Sequence, residues 1–328
     1  MKKVTLKQLA QELNLSVSTV SRALSDDYQI SPETKQLIRD HAEKRDYKVN
    51  LYAKSLREGK TRTIGVVVCS MRKAFMNQII NAMYDYWHEK GYQLLVLQSR
   101  GEYATEQKCI KRLLDMGIDG LLISPSFDGA NVAYLNELIS KRLPIVVFDR
   151  VDSKLRTTQI TSNNFLGGQI AAEHLVGRSF TKVLVIGIKD AWLSGERIKG
   201  FSAYMDAKDI NNYHSLYIEL SSGEQLLKQV IDTFSHEIQI DNYSSIFTTT
   251  DTLTLTVIRA MKRLGLNVPV LGFCNSELSD IIYGKLISIV QPSDAIGKLA
   301  SEKLFEAIKK EVMPEEEMIL LDTKILEN

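Results

Sequence analysis

Val17, Ser18, Ser21 and Arg22 combine short side chains with one long bidentate donor within six positions of this 328-residue chain. On the outward face of a helix, small side chains let the backbone approach base edges in a major groove. A guanidinium can grip guanine O6 and N7, worth about 1–3 kcal/mol of discrimination. Ser16, Thr19 and Ser21 suit phosphate oxygens, which fix register without reading sequence. A second group of polar residues stands at the ends of apolar runs: Cys69 and Ser70, Ser99, Ser124 and Pro125, Asp149 and Arg150, Thr249 to Asp251, Cys274 and Asn275, and Gln291. If those runs are parallel strands, their carboxyl ends are where a small ligand lies.

Elements to position the first group are legible. Leu6, Leu9, Ala10 and Leu13 recur at helical spacing. Thr5 caps that helix and Gln8 completes a capping box. Asn14 tolerates the left-handed conformation of a helix end, and Leu15 plugs the turn. Ser16 caps a second helix whose buried face is Val20, Ala23 and Leu24. Ser31, Pro32 and Glu33 open a third helix that runs to about Arg45, in which His41 reads as a surface or packing histidine. Residues 1–62 carry 13 Lys+Arg against 8 Asp+Glu, and the remainder 28 against 32. The whole-chain net charge of +1 hides a basic head on a mildly acidic body, a distribution suited to phosphate binding by the head. Asn50 can cap a further short helix from Leu51 to Glu58, stopped by Gly59. Eight residues are too few for a stable isolated helix, so this segment is expected to order only when docked.

Taken with Val4-Thr5-Leu6, Leu15-Ser16, Thr19 to Leu24, Tyr47, Asn50, Ala53, Leu56 and Ile64-Gly65-Val66, the chain closely resembles the lactose-repressor/galactose-repressor family of bacterial transcription regulators. The resemblance implies that Val17, Ser18 and Arg22 read the major groove. It implies that Asn50, Ala53, Lys54 and Leu56 belong to a hinge helix entering the minor groove, with Leu56 as an apolar wedge between base steps. Thr5, Leu6, Ser16, Thr19 and Ser21 complete the expected DNA-binding set. Val49 departs from the proline usual before that asparagine, which loosens the entry to the hinge.

After Arg62 the pattern changes. Apolar runs at Ile64–Cys69, Leu94–Leu97, Gly120–Ser124, Ile145–Phe148, Val183–Gly187, Ser245–Thr248, Val270–Phe273 and Ile287–Val290 alternate with helical segments, which argues for parallel sheets covered on both faces. The expected fold is an N-terminal all-α helix-turn-helix DNA-binding domain (1–49) and a hinge helix with linker (50–62), followed by an α/β effector domain (63–328). By the resemblance, that domain is periplasmic-binding-protein-like, with two doubly wound parallel-sheet lobes: 63–161 plus 293–319, and 162–292 plus 320–328. The three crossovers are placed near 160–163, 290–293 and 319–322. The resemblance puts Asp149, Arg197 and Gln291 at ligand-contact positions, and Phe148-Asp149-Arg150, Asn164-x-x-Gly167-Gly168, Arg197-x-x-Gly200-Phe201 and Gln291-Pro292 match its pattern. With Phe75, Ser124, Asp251, Cys274 and Asn275 these form the expected ligand site. A carboxylate and a guanidinium both bind vicinal hydroxyls, and Phe75 or Phe127 can stack on a ring. Asp149 can instead pair with Arg150, and Arg197 can instead cap a carbonyl or pair with Glu196. Cys274 stands where many sugar-responsive members carry aspartate, and a thiol cannot supply that acceptor pair. This departure favours an anionic effector such as a sugar acid or sugar phosphate, held by Arg197.

The cysteines Cys69, Cys109 and Cys274 form no C-x-x-C and the histidines are scattered, so neither a metal nor a cofactor is expected. There is no phosphate-binding glycine motif and no nucleophile–base pairing, which argues against an enzyme. Met1-Lys2-Lys3 leads straight into a polar helix without an export signal, and no apolar stretch reaches the roughly 18 residues of a membrane span; the expected location is the cytoplasm. No leucine heptad tail follows the last strand, so a homodimer is expected on a pseudo-palindromic duplex. The expected function is a ligand-responsive repressor of carbohydrate genes, released by a sugar or sugar derivative. The alternatives are a solute-binding protein without a transcriptional role, which leaves residues 1–60 unexplained, and a regulator activated by a corepressor.

Overall fold

The computed structural model describes residues 4–47, 60–126, 129, 131–219, 221, 223–237, 240–276 and 286–326. The hinge candidates Asn50, Ala53, Lys54 and Leu56, together with Phe127, lie outside the described residues. The chain forms two compact units, Met1–Thr61 and Arg62–Asn328.

In the smaller unit, α1 (Leu6–Glu12), α2 (Val17–Leu24) and α3 (Pro32–Lys44) follow the sequence signals closely. Thr5 and Gln8 form the reciprocal capping box, Ser16 caps α2 through Thr19 N, and Ser31 caps α3 with Pro32 in its first turn. Asn14 takes a φ of 54°, which turns the chain between α1 and α2. Leu9, Val20, Ala23 and Ile38 are fully buried and close a small core. His41 Nε2 donates to Glu12 Oε2 at 2.8 Å beside Arg45, a surface pairing.

In the larger unit the chain runs β1 (Thr63–Val68), α4 (Ala74–Glu89), β2 (Gln93–Gln98), α5 (Tyr103–Asp115), β3 (Gly120–Ile123), α6 (Val132–Ser140), β4 (Ile145–Phe148) and β5 (Gln159–Ser162). It continues through α7 (Asn164–Gly177), β6 (Val183–Ile188), α8 (Trp192–Ala207), β7 (Tyr213–Ile218), α9 (Gly223–Asp232), β8 (Ser245–Thr248), α10 (Asp251–Leu264), β9 (Val270–Phe273) and β10 (Leu286–Val290). It ends with α11 (Ser293–Lys310), β11 (Met318–Leu321) and β12 (Lys324–Leu326). Two six-stranded sheets result, ordered β11-β5-β4-β3-β1-β2 and β12-β10-β9-β8-β6-β7. Every pairing is parallel except that of β12, which lies antiparallel to β10. Between the sheets the chain crosses at Asn163, at Gln291–Pro292 and at Asp322–Thr323. Inner strands such as β4 are buried throughout, as continuous apolar runs covered by helices on both faces must be.

Two glycines set the packing of the second lobe. A Cβ at Gly168 of α7 would meet Arg197 O at 1.9 Å, and one at Gly200 of α8 would meet Phe165 O at 1.9 Å. The two helices therefore cross in backbone contact, which brings Arg197 to the end of the sheet.

Candidate functional site

In the smaller unit the residues expected to read DNA lie on the outer face of α2. Val17 is 44% exposed, Ser18 and Arg22 are exposed, and Ser21 is half-buried. Ser16 Oγ is engaged as a cap and lies 2.7 Å from Ser18 Oγ and 2.8 Å from Thr19 Oγ1. Thr5 is likewise committed to its capping box, and Leu6 packs on the core, so these two present the amino end of α1 rather than a free side chain. Hydrogen bonds from His41 and then Arg45 hold the Glu12 carboxyl below its ordinary range, which keeps the back of the unit tied together.

In the larger unit the carboxyl ends of the two sheets supply a common set of charges. Asp149 ends β4 in the left-handed region at φ 65°, and its Oδ2 accepts from Ser124 Oγ at 3.1 Å. Arg197 on α8 is 2% exposed; Nε donates to Asn164 Oδ1 at 2.8 Å, Nη1 donates to Thr249 O at 2.6 Å, and its Cζ lies 3.5 Å from the centre of the Phe273 ring. Arg197 thus does cap a carbonyl, while Glu196 pairs with Lys199. Burial lowers the Arg197 pKa to about 10, against the opposing pull of Asp251 and Asp149. Asp251 opens α10, and its Oδ1 is a buried atom without a hydrogen-bond partner among the described residues. Burial raises its pKa to about 6; Lys73 and Arg197 act in the other direction, and Asp149 adds to the rise. Ser124, Asp149, Arg197 and Asp251 are therefore brought together across the two lobes.

Other expected ligand residues are placed differently. Asn275 and Gln291 bond to each other: Gln291 N donates to Asn275 Oδ1 at 3.0 Å, and Asn275 Nδ2 donates to Gln291 O at 2.8 Å. Gln78 of α4 joins them, accepting from Asn275 Nδ2 at 3.1 Å and from Ser293 Oγ at 2.7 Å, while Gln291 Nε2 donates to Ser162 Oγ at 3.0 Å. This pair holds a crossover and the contact between lobes. Phe75 is 5% exposed within the apolar cluster under α4, so its ring belongs to the core. Cys274 is 1% exposed and packs in the apolar cluster of the second lobe, where burial raises its thiol pKa to about 11.

A small pocket of about 50 Å³ is lined by the residues that follow Ser124 and Asp149 in the chain, though not by the four charged and polar residues themselves. It is lined from the first lobe by Ser126, Asn131, Arg150 and Asp152, and from the second by Trp192 and Leu193. Glu106, fully buried on α5, accepts from Ser126 N at 2.7 Å and from Asn131 Nδ2, which fixes the loop forming one wall. Sequence reasoning missed Trp192. The available signal was one of only two tryptophans standing just beyond the carboxyl end of a strand, and at 45% exposure it supplies the aromatic surface sought at Phe75. Arg150 donates to Pro125 O at 3.2 Å and to the Cys69 thiol.

Comparison with known proteins follows the same division. Residues 5–50 match the family model described as "Bacterial regulatory proteins, lacI family", and residues 64–312 match the "Periplasmic binding protein domain". The chain is 28% identical over 315 residues to the HTH-type transcriptional repressor PurR of Aliivibrio salmonicida, covering 93% of this chain and 92% of that protein. It is 26% identical over 314 residues to the ribose operon repressor of Haemophilus influenzae, with 93% and 92% covered. A crystal structure of the Lac repressor bound to ONPG in the repressed state superposes with a TM-score of 0.84 at 20% identity, covering 99% of this chain and 98% of that one, a likeness of fold. A periplasmic binding protein/LacI transcriptional regulator from Alkaliphilus metalliredigens, complexed with D-xylulofuranose, superposes with a TM-score of 0.68 at 27% identity over 81% of this chain and 97% of that one.

Proposed function

This chain belongs to the LacI family of bacterial regulatory proteins, ligand-responsive DNA-binding repressors rather than enzymes, and we propose that it reads its operator through Val17, Ser18 and Arg22 and is released from it by a sugar. The observation that carries the DNA half is α2 itself: a capped helix with an apolar inner face and an exposed outer face of short side chains around Arg22. Ser16, Thr19, Ser21 and the amino end of α1 at Thr5 and Leu6 meet phosphates. Asn50, Ala53, Lys54 and Leu56, outside the described residues, are assigned to minor-groove contact, with Leu56 as the wedge.

The effector is a sugar or sugar derivative held between the lobes. Its hydroxyls donate to Asp149 and to the unpartnered oxygen of Asp251, Arg197 supplies the positive charge, and Trp192 offers an apolar face. The two carboxylates favour a ligand rich in hydroxyl donors over the sugar acid or phosphate suggested by Cys274 alone. A complex of a relative with D-xylulofuranose supports the same class. The protein acts in the cytoplasm as a homodimer, so two α2 helices related by a two-fold axis require a pseudo-palindromic duplex. Among the described residues no helix is long and apolar enough to cross a membrane.

The test is enrichment of a random-sequence duplex pool on the full-length protein. The expected product is a pseudo-palindrome bound with a steep salt dependence, and Arg22→Ala flattens the preference at one position in each half-site. No duplex preferred over random DNA, with or without sugars, defeats the reading. Sugars that tighten the complex replace the inducer with a corepressor.

A further inference from the structure

Beyond Leu24 the chain turns back toward Arg22. Asp26 takes a left-handed φ of 59°, and Asp27 N donates to Arg22 O at 3.0 Å. This turn is pinned to α3: the Asp26 carboxylate pairs with Lys35 at 3.1 Å and with Arg39 at 2.8 Å, and Lys35 also donates to Asp26 O at 3.2 Å. These partners, Lys35 foremost, hold the Asp26 carboxyl below its ordinary range. Ile30 anchors the far end against the core of the unit.

Side chains of the turn then converge on Arg22. Asp27 Oδ1 accepts from Gln29 N at 2.9 Å, Arg22 Nη1 donates to Gln29 Oε1 at 3.1 Å, and Asp27 Oδ2 lies 4.0 Å from Arg22 Nε. Gln29 Nε2 donates to Tyr28 Oη at 3.5 Å, which sets the amide with its oxygen toward Arg22. Tyr28 is 89% exposed, so its ring packs little and this contact is the one it offers Gln29.

We propose that the Asp27–Gln29 turn is a specificity device, in which Gln29, oriented by Asp27 and Tyr28, is a positioning residue that presets the Arg22 guanidinium for base readout. The inference rests on Arg22 as the base reader. An arginine side chain has many rotamers, and freedom already removed in the free protein is not lost again on docking. Gln29 occupies one of the five N–H donors, which leaves enough for two parallel bonds to guanine O6 and N7. Lys35 and Arg39 tie the base of the turn to α3 at Asp26.

The experiment uses full-length protein and the duplexes it enriches from a random pool. The position read by Arg22 is the one whose preference Arg22→Ala removes. Gln29→Ala then lowers affinity for the enriched duplex by about fivefold. It weakens the preference at that same position and leaves affinity for random duplex unchanged. Added to Arg22→Ala it causes no further loss, because the two residues act as one unit. Gln29→Glu keeps an acceptor for Arg22 and so keeps the base preference, and thermal melts of each variant show that folding is unaffected. Retention of full preference in Gln29→Ala overturns the proposal, as does tighter binding, which would mean that Gln29 holds Arg22 away from DNA. Weakening that is uniform over all sequences also overturns it, because Gln29 would then be a phosphate contact. If Arg22→Ala leaves every position unchanged, the assignment of Arg22 fails first and this inference falls with it.

Discussion

Asp251→Asn removes a carboxylate that the fold holds ionised against burial. The side chain opens α10 and leaves Oδ1 without a partner among the described residues, while burial raises its pKa from 3.8 to about 6 in spite of Lys73 and Arg197. At about 1.4 kcal/mol for each pH unit between the two values, ionised Asp251 costs about 3 kcal/mol of folding stability at neutral pH. The folded value lies above the unfolded one, so the folded state binds the proton more tightly. The penalty is therefore full above about pH 6, shrinks as pH falls from about 6 toward 3.8, and disappears below that. Asparagine mimics the protonated form. The variant is expected to be more stable than the parent by about 3 kcal/mol at pH 7.5 and by only about 1 kcal/mol at pH 4.5. Trp87 and Trp192, the two tryptophans, both lie in the larger unit, so their fluorescence during urea denaturation reports on that unit alone. The same change gives up an acceptor for sugar hydroxyls, and calorimetry should show weaker sugar binding in a better-folded protein, the trade expected of a site residue. A variant less stable than the parent at pH 7.5, or a gain that does not vary with pH, refutes the reasoning.

Further outcomes follow from the packing. Gly168→Ala places a Cβ 1.9 Å from Arg197 O and 2.7 Å from Phe201 N, so α7 and α8 must separate. The larger unit loses about 3 kcal/mol or more, measured as a shift of its urea midpoint, and sugar binding falls with the displacement of Arg197. Thr5→Ala removes the hydroxyl that accepts from Gln8 N, while the backbone N–H at position 5 can still donate to Gln8 Oε1; the smaller unit is destabilised by about 1 kcal/mol, read from hydrogen exchange in α1. At pH 8 the buried Cys274 thiol, its pKa pushed up to about 11, stays protonated and resists iodoacetamide, while half-buried Cys109 alkylates first, as peptide mapping will show.

The helix caps of the smaller unit were legible because each is a local device: Thr5 with Gln8, Ser16, and Ser31 with Pro32 act within a single turn of chain. Inner strands were legible as apolar runs. β5 was not, since Gln159, Thr161 and Ser162 are polar yet buried. Gln159 donates to Asp152 O at 3.0 Å and Leu155 O at 3.2 Å, and Thr161 donates to Asp149 O at 2.6 Å; such satisfaction depends on residues the fold brings in from elsewhere. β7 escaped for a related reason, as an edge strand with mixed exposure has no continuous apolar run. Strand ends pointed to Asp149 and Asp251, family resemblance pointed to Arg197, and the fold brings these three charges near one another. Strand position alone could not separate a side chain facing the cavity from one spent on a neighbour, and that is why Asn275 and Gln291 lie in the crossover network, Phe75 and Cys274 lie in the cores, and Trp192 was missed.

If sugar and DNA compete through one conformational equilibrium, each weakens the binding of the other, and linkage fixes by how much. Fluorescence anisotropy of the enriched duplex measures how far a saturating sugar weakens DNA binding, and calorimetry measures how far the duplex weakens sugar binding. The same factor is expected in both directions, because coupling free energy is reciprocal. A sugar that binds free and DNA-bound protein with equal affinity contradicts that competition.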